Sequence, residues 1–145
     1  MDADLSNAVD NERLRGGRLA RLQSAMRRHD VEACLLFNEP NIRYATGASA
    51  MPVWSNTTFV RCALVPAEGV PILFEHPNSM HLFGELEADV RPMHTWEFFD
   101  DVGSHAATFA RQTVAAMREL GVSDIAAQRV REIIESPGYS RPSSG

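Results

Sequence analysis

Apolar and polar positions near the start of the chain follow a helical spacing. Residues 13–29 carry arginines over most of their surface, and four apolar side chains share one face: Leu14, Leu22, Ala25 and Met26. This pattern predicts an amphipathic helix with a solvated basic face. The polar residues 1–12 before it predict a flexible leader. The continuous apolar run at 32–37, bounded by polar residues, predicts a buried strand.

The next segment carries the signals of a turn followed by a short helix. Pro40 is suited to the first helical turn, and residues 42–45 continue the helix. Gly47 is expected to end this helix in the left-handed conformation. Residues 48–58 mix small and polar side chains around Trp54, which predicts an exposed loop.

A β-hairpin is the strongest strand signal in the chain. The apolar runs 59–65 and 70–74 flank the four-residue connection 66–69, which ends in glycine. Pro71 cannot donate a ladder hydrogen bond, so the second strand is expected to begin near an edge or a bulge.

The remaining pattern alternates helices with one weaker strand. We predict helices over 77–87, 104–120 and 125–135, and a strand over 90–96. Gly121 provides a stop signal for the second of these helices. The order predicts an α/β fold, with a mixed β-sheet and helices packed on it. The domain then spans 13–135, and residues 136–145 are a disordered tail.

Composition limits the function classes. A chain of 145 residues is one domain, and a net charge of -5 disfavours a nucleic-acid partner. The chain contains no lysine, which excludes lysine-based chemistry, and its two cysteines suit a reducing compartment. No signal peptide or membrane span is recognisable, so we expect a cytoplasmic protein without membrane partners.

Candidate metal ligands are present, but their spacing is unfavourable. Imidazole and carboxylate groups with suitable ligand chemistry occur at Glu75, His76, His81, Glu85 and His94. Pro77 prevents one helix from presenting both His76 and His81, and no H-E-x-x-H pattern occurs. An enzyme built on these residues is therefore disfavoured. By residue chemistry alone, we predict no catalytic residues and no metal site in this chain.

The loop around Trp54 is the best candidate for binding. Trp54 lies close in sequence to Asn56 and Arg61, and tryptophan and arginine are enriched at interface hot spots. The alternative is that Trp54 packs on the domain's own core.

A family resemblance rests on the segment N-I-R-Y-A-T-G together with its surroundings. The motif residues are Asn41, Ile42, Tyr44, Thr46 and Gly47, preceded by the helix over 18–26 and followed by the hairpin. This arrangement resembles the N-terminal, ribonuclease H-like domain of the creatinase, prolidase and aminopeptidase P superfamily. It is most similar to the branch with dimethylsulfoniopropionate lyases and Xaa-Pro peptidase-like proteins.

The resemblance implies that catalysis belongs to a different domain. In this superfamily a C-terminal "pita-bread" domain holds two divalent metal ions with two Asp, one His and two Glu, and that domain is absent here. The N-terminal domain supports dimerisation and lends residues to the neighbouring subunit's active site. By position, the resemblance makes Trp54, Asn56 and Arg61 the substrate-binding candidates.

The predicted function follows from this resemblance. We expect a non-catalytic N-terminal domain of a metal-dependent Xaa-Pro peptidase, creatinase-type hydrolase or lyase, which serves oligomerisation and shapes the substrate entrance. Its partner would be a second copy or a separate catalytic domain. The helix and Ser/Pro tail after Asp124 replace the usual strand and linker, which suggests a truncated or split gene product. The alternative is a stand-alone small-molecule or regulatory binding module.

Overall fold

The computed structural model describes residues 2–49, 61–86, 88–94 and 102–136. Its elements, in chain order, are α1 (Asp2–Arg28), β1 (Ala33–Leu36), α2 (Glu39–Thr46), β2 (Cys62–Pro66), β3 (Ile72–Glu75), a 3₁₀ helix (Pro77–Phe83), β4 (Asp89–Pro92), α3 (Val102–Glu119) and α4 (Asp124–Ile134). The predicted α/β class, with a mixed sheet covered by helices, is confirmed.

The described strands form one sheet in the order β1-β2-β3-β4. β1 pairs with β2 and β2 with β3 in antiparallel fashion, which confirms the hairpin. β4 runs parallel to β3, with Ile72 opposite Asp89. A parallel neighbour requires a crossover, and the 3₁₀ helix lies on that connection.

The central strands are buried on both faces, so alternate residues supply two separate cores. Cys62, Leu64, Ile72 and Phe74 pack against α3 and α4, in a cluster that includes Phe109 and Met117. Ala63, Val65 and Leu73 pack on the opposite side with Met26 of α1, Ile42 of α2 and Phe83. The sheet is therefore the middle of three layers.

Three elements differ from their predicted extents. The helix expected over 77–87 is a 3₁₀ helix that ends at Phe83. Phe83 is buried, whereas its neighbour Leu82 is 65% exposed. β4 spans Asp89–Pro92, so it begins one residue before the strand expected over 90–96 and ends four residues before the predicted end. Helix α1 begins at Asp2 and thus includes the residues 2–12 for which the sequence predicts a leader.

The N-I-R-Y-A-T-G segment is explained largely by local structure. Gly47 has φ +76°, the left-handed conformation expected of it, and its N–H donates to the Arg43 carbonyl at 2.8 Å. Ile42 is fully buried, and the Thr46 hydroxyl donates to the Ile42 carbonyl. Tyr44, in contrast, is 40% exposed, with the Arg18 guanidinium 5.9 Å from its ring centre.

No helix in the part of the chain that the structure describes is both long and apolar enough to cross a membrane.

Candidate functional site

One end of the sheet collects the buried and half-buried charged or titratable groups. β1, β3 and β4 finish at this end and the antiparallel β2 begins there, since Leu36 lies opposite Ala63 and Glu75 opposite Pro92. We call it the polar end and define it by five side chains: Glu39, Arg61, Glu75, His94 and His105. Arg61 directly follows the segment 50–60, and His94 directly precedes the segment 95–101.

Arg61 is the central group of the polar end. It stands directly before β2, and its side chain is only 3% exposed. Its Nη1 donates to both carboxylate oxygens of Glu39, at 3.1 and 2.9 Å. Its Nε lies 2.9 Å from Glu75 Oε2, close enough for an ion pair, although the direction of this contact does not make it a hydrogen bond. One arginine therefore links the start of α2 to the end of β3.

Glu75 is a buried carboxylate whose ionisation is balanced by opposing effects. Burial raises the pKa of Glu75, while the Arg61 charge and a backbone hydrogen bond from the His76 N–H pull it down, with a net upward shift. That N–H donates to Glu75 Oε1 at 3.0 Å. Burial and the Glu75 charge also raise the pKa of the neighbouring Cys62 thiol, which makes it a poor nucleophile.

The Arg61 guanidinium is further enclosed by an aromatic ring. Its Cζ lies 5.1 Å from the centre of the Phe83 ring, a cation–π distance. Its Nη2, however, is buried and has no hydrogen-bond partner in the described part of the chain. Arg61 thus retains one donor group beyond its two carboxylates.

His94 and His105 form the second polar link at this end. His94 Nε2 and His105 Nδ1 are 2.7 Å apart, while the ring centres are 4.9 Å apart and the ring planes differ by 19°. Because the two facing nitrogens lie between the ring centres, the nearly coplanar rings meet edge to edge. This geometry fits an N–H···N hydrogen bond, in which one nitrogen donates and the other accepts.

The histidine link joins His94, two residues after the end of β4, to the first turn of α3. Gln112 supports it, because its side-chain oxygen accepts from the His94 N–H at 3.2 Å and its amide donates to the Pro92 carbonyl. Burial lowers the pKa of His94, and the nearby His105 and Arg111 lower it further. The link therefore favours a neutral His94.

The structure describes one of the three binding residues that the sequence predicts. Trp54 and Asn56 lie outside the described residues, and Arg61 lies at the centre of the polar end. Of the five weighed metal ligands, Glu75 and His94 lie at the polar end, where they contact Arg61 and His105. His76 accepts from the Asn78 N–H at the start of the 3₁₀ helix, and His81 and Glu85 are exposed. No three metal-ligating side chains converge within 2–49, 61–86, 88–94 and 102–136.

Sequence reasoning missed the partners of Arg61 and the histidine pair. The register places Cys62 opposite Phe74, so Arg61 falls beside Glu75, and the predicted hairpin contained most of that information. Glu39 precedes the recognised motif by two residues and carries no signal of its own. His94 and His105 are 11 positions apart in different elements, and no local pattern connects them.

The comparisons with known proteins agree with this fold. Residues 18–126 match the family model described as the Creatinase/Prolidase N-terminal domain. A stretch of 73 residues is 36% identical to dimethylsulfoniopropionate lyase DddP from Roseovarius nubinhibens, covering 50% of this chain and 16% of the lyase. This chain therefore matches a small part of that relative's length.

A solved structure is similar over most of the chain. The crystal structure of an Xaa-Pro aminopeptidase from Streptococcus pyogenes superposes with a TM-score of 0.55 at 15% identity, covering 86% of this chain and 88% of that one. At this identity the likeness concerns the fold. Together with the family match, it confirms the resemblance first indicated by N-I-R-Y-A-T-G.

Proposed function

We propose, because this chain belongs to the creatinase/prolidase N-terminal domain family, that it is the non-catalytic domain of a metal-dependent Xaa-Pro peptidase or a related hydrolase or lyase. Its work is to support oligomerisation and to shape the substrate entrance of a catalytic domain. The two divalent metal ions of the reaction belong to that catalytic domain. They would polarise the substrate and activate water.

The observation that carries this proposal is the Arg61 link at the polar end. The segment 48–60 follows Gly47, which ends α2, and precedes Arg61; its residues 50–60 lie outside the described part of the chain. Arg61 in turn is tied to Glu39 at the start of α2 and to Glu75 at the end of β3. The C-terminal end of a segment that contains Trp54 and Asn56 is thereby fixed to the sheet and to the helix that precedes the segment.

Such an arrangement is suited to holding the segment 48–60 in place rather than to catalysing a reaction. A buried arginine paired with two carboxylates holds its charge and does not exchange protons near neutral pH. Trp54 and Asn56 are the proposed substrate-contacting side chains, and the free Nη2 of Arg61 is a further donor for the same purpose. The range of activities in the relatives' names, a lyase and an aminopeptidase, supports a shared accessory domain.

The first test examines catalysis by the chain alone. The purified protein is incubated with Mn²⁺ or Zn²⁺ and assayed on an Xaa-Pro dipeptide, creatine and dimethylsulfoniopropionate, while light scattering measures its mass. We expect a dimer without turnover. Turnover above the metal-only blank by the purified chain would overturn the non-catalytic role, and a strict monomer would overturn the role in oligomerisation.

The second test examines the substrate entrance. The two tryptophans, Trp54 and Trp96, give separate indole N–H signals in NMR spectra, which can be assigned with Trp54→Phe and Trp96→Phe. Addition of the same three compounds should shift the Trp54 signal and leave that of Trp96 in place. Equal shifts of both signals, or of neither, would contradict a binding role for the segment 48–60.

A further inference from the structure

Helix α1 is much longer than the surface on which it packs. Its C-terminal part contributes Leu19, Leu22 and Met26 to the core on the α2 side of the sheet. Residues 10–17, in contrast, are all exposed. Packing of the buried part stabilises only one end of this 27-residue helix. An exposed polar stretch is stabilised little by its backbone hydrogen bonds alone.

Two consecutive glycines make this exposed stretch more unusual. Gly16 and Gly17 lie inside the helix, where each costs about 1 kcal/mol relative to alanine. A Cβ atom at either position would have nothing within 4 Å among the described residues, so no contact in that part of the chain requires glycine there. Small residues on a helix surface do allow a second backbone to come close.

Four exposed residues form a stripe along one side of α1: Asp10, Leu14, Gly17 and Arg21. Their spacing of four, three and four residues is that of a helix–helix seam. Leu14 is 53% exposed in the middle of the stripe. Neither Asp10 nor Arg21 forms an ion pair within the described part of the chain.

The stripe is complementary to itself when a second α1 runs antiparallel. Leu14 of one copy then lies against Gly17 of the other, where the missing side chain leaves room for it. Asp10 lies against Arg21, so that opposite charges meet. A twofold axis makes each of these contacts twice, as an isologous interface requires.

We propose that the stripe Asp10–Leu14–Gly17–Arg21 is the surface through which a second copy of this chain binds, with the two α1 helices antiparallel. The inference rests on the proposed role in oligomerisation and assigns a surface to it. The argument for this occupant is the charge complementarity, which an antiparallel copy of the same stripe satisfies at both ends. A single helix pair buries less area than a standard interface, so the dimer is weak and sensitive to salt.

The test is a charge exchange within the stripe, measured by sedimentation equilibrium at low salt. Asp10→Arg and Arg21→Asp each place like charges opposite one another, and each should weaken dimerisation at least tenfold. The double variant Asp10→Arg/Arg21→Asp restores opposite charges and should recover the dimer. An equimolar mixture of the two single variants should form a heterodimer, and Arg129→Glu on α4 serves as the control for a charge change elsewhere.

Each outcome bears on the proposal. Weakened single variants with rescue in the double variant and in the mixture support it. A dimer unaffected by any α1 variant overturns the stripe but leaves the role in oligomerisation intact, whereas a monomeric wild type overturns both. Single variants that lower the melting temperature without changing the mass distribution would show that the stripe packs within its own chain, and would also overturn the proposal.

Discussion

The polar end contains two side-chain links that each connect a strand to a helix, but the two links differ in chemistry. The Arg61 link ties α2 to β3 through a permanent charge and two carboxylates, with Arg61 and Glu75 each 3% exposed. The His94–His105 link ties the end of β4 to α3 through one hydrogen bond between two half-buried rings. The first link keeps its charge over the physiological pH range, whereas the second is titratable there.

This difference shows which of the two connections is independent of pH and which one depends on pH. Arginine stays protonated, so the base of the segment 48–60 is held at any physiological pH. In a histidine pair of this geometry, one proton lies between the two facing nitrogens and forms the hydrogen bond. When both facing nitrogens are protonated, two N–H groups point at each other and the hydrogen bond is lost. The segment 95–101 is thus bounded by a link that weakens in acid.

The largest expected effect comes from Arg61→Met. This change removes the positive charge and leaves Glu75 buried with no counter-charge, which typically costs about 3–5 kcal/mol. The free energy of unfolding, measured in urea at pH 7, should fall by that amount. The loss should shrink as the pH falls, because the pKa of Glu75 is raised by burial and protonation removes the uncompensated charge.

Two matched variants sharpen this experiment. Arg61→Met/Glu75→Gln removes both charges and should recover much of the lost stability. Arg131→Met removes an exposed ion pair to Glu135 on α4, and exposed pairs of this kind contribute about 0.5 kcal/mol or less. If Arg61→Met and Arg131→Met destabilise the protein equally, the Arg61 link does not hold this end of the sheet.

Gly47→Ala tests the other anchor of the segment 48–60 and should have an intermediate effect. Its φ of +76° costs a residue with a Cβ atom about 1–2 kcal/mol. Gly121 has the same φ of +76° but open space around it, so Gly121→Ala measures the backbone cost alone. The Cβ at position 47 would also meet the Arg15 side chain at 2.7 Å, which adds a smaller cost because that side chain can move.

Urea unfolding of both glycine variants separates the two contributions. Gly47→Ala should be the more destabilised, and Arg15→Ala combined with it should bring the loss down to that of Gly121→Ala. A larger loss at position 121 than at 47 would mean that the α2 terminus is not a constrained anchor.

These residues also show why the fold could be predicted from sequence better than the site. Gly47, Gly121 and the hairpin are local signals, since turn and cap conformations depend on residues close in the chain. The end of the 3₁₀ helix depends on the return of the chain to β4 beside β3, which no local spacing encodes. Residues 84–86 therefore lie outside the helix, although the apolar spacing predicts a helix over 77–87.

The chemistry of the polar end depends on contacts between distant elements. Arg61 was selected as a substrate-binding candidate, and this role is still a prediction. Its pairing with Glu75 follows from the strand register, while its pairing with Glu39 requires the position of α2 over the sheet. The histidine pair requires both β4 and α3 to be placed, so only the three-dimensional arrangement reveals it.

The smallest expected effect is the pH dependence of the histidine link. Because burial, His105 and Arg111 lower the pKa of His94 in the folded chain, the unfolded chain binds the proton more readily. The stabilising contribution is therefore complete above the unfolded pKa of about 6.5, and it is lost as the pH falls below that value toward the folded pKa. Urea unfolding between pH 5 and 8 should show this decline.

His94→Gln retains a hydrogen-bonding group near the position of Nε2 but cannot titrate, so it should flatten the decline. His94→Ala should instead lose about 0.5–1.5 kcal/mol at pH 8, the typical contribution of one hydrogen bond. His81→Gln, which changes an exposed histidine, should leave the wild-type profile unchanged. An identical pH profile in wild type and His94→Gln would show that the two links differ in composition but not in their response to acid.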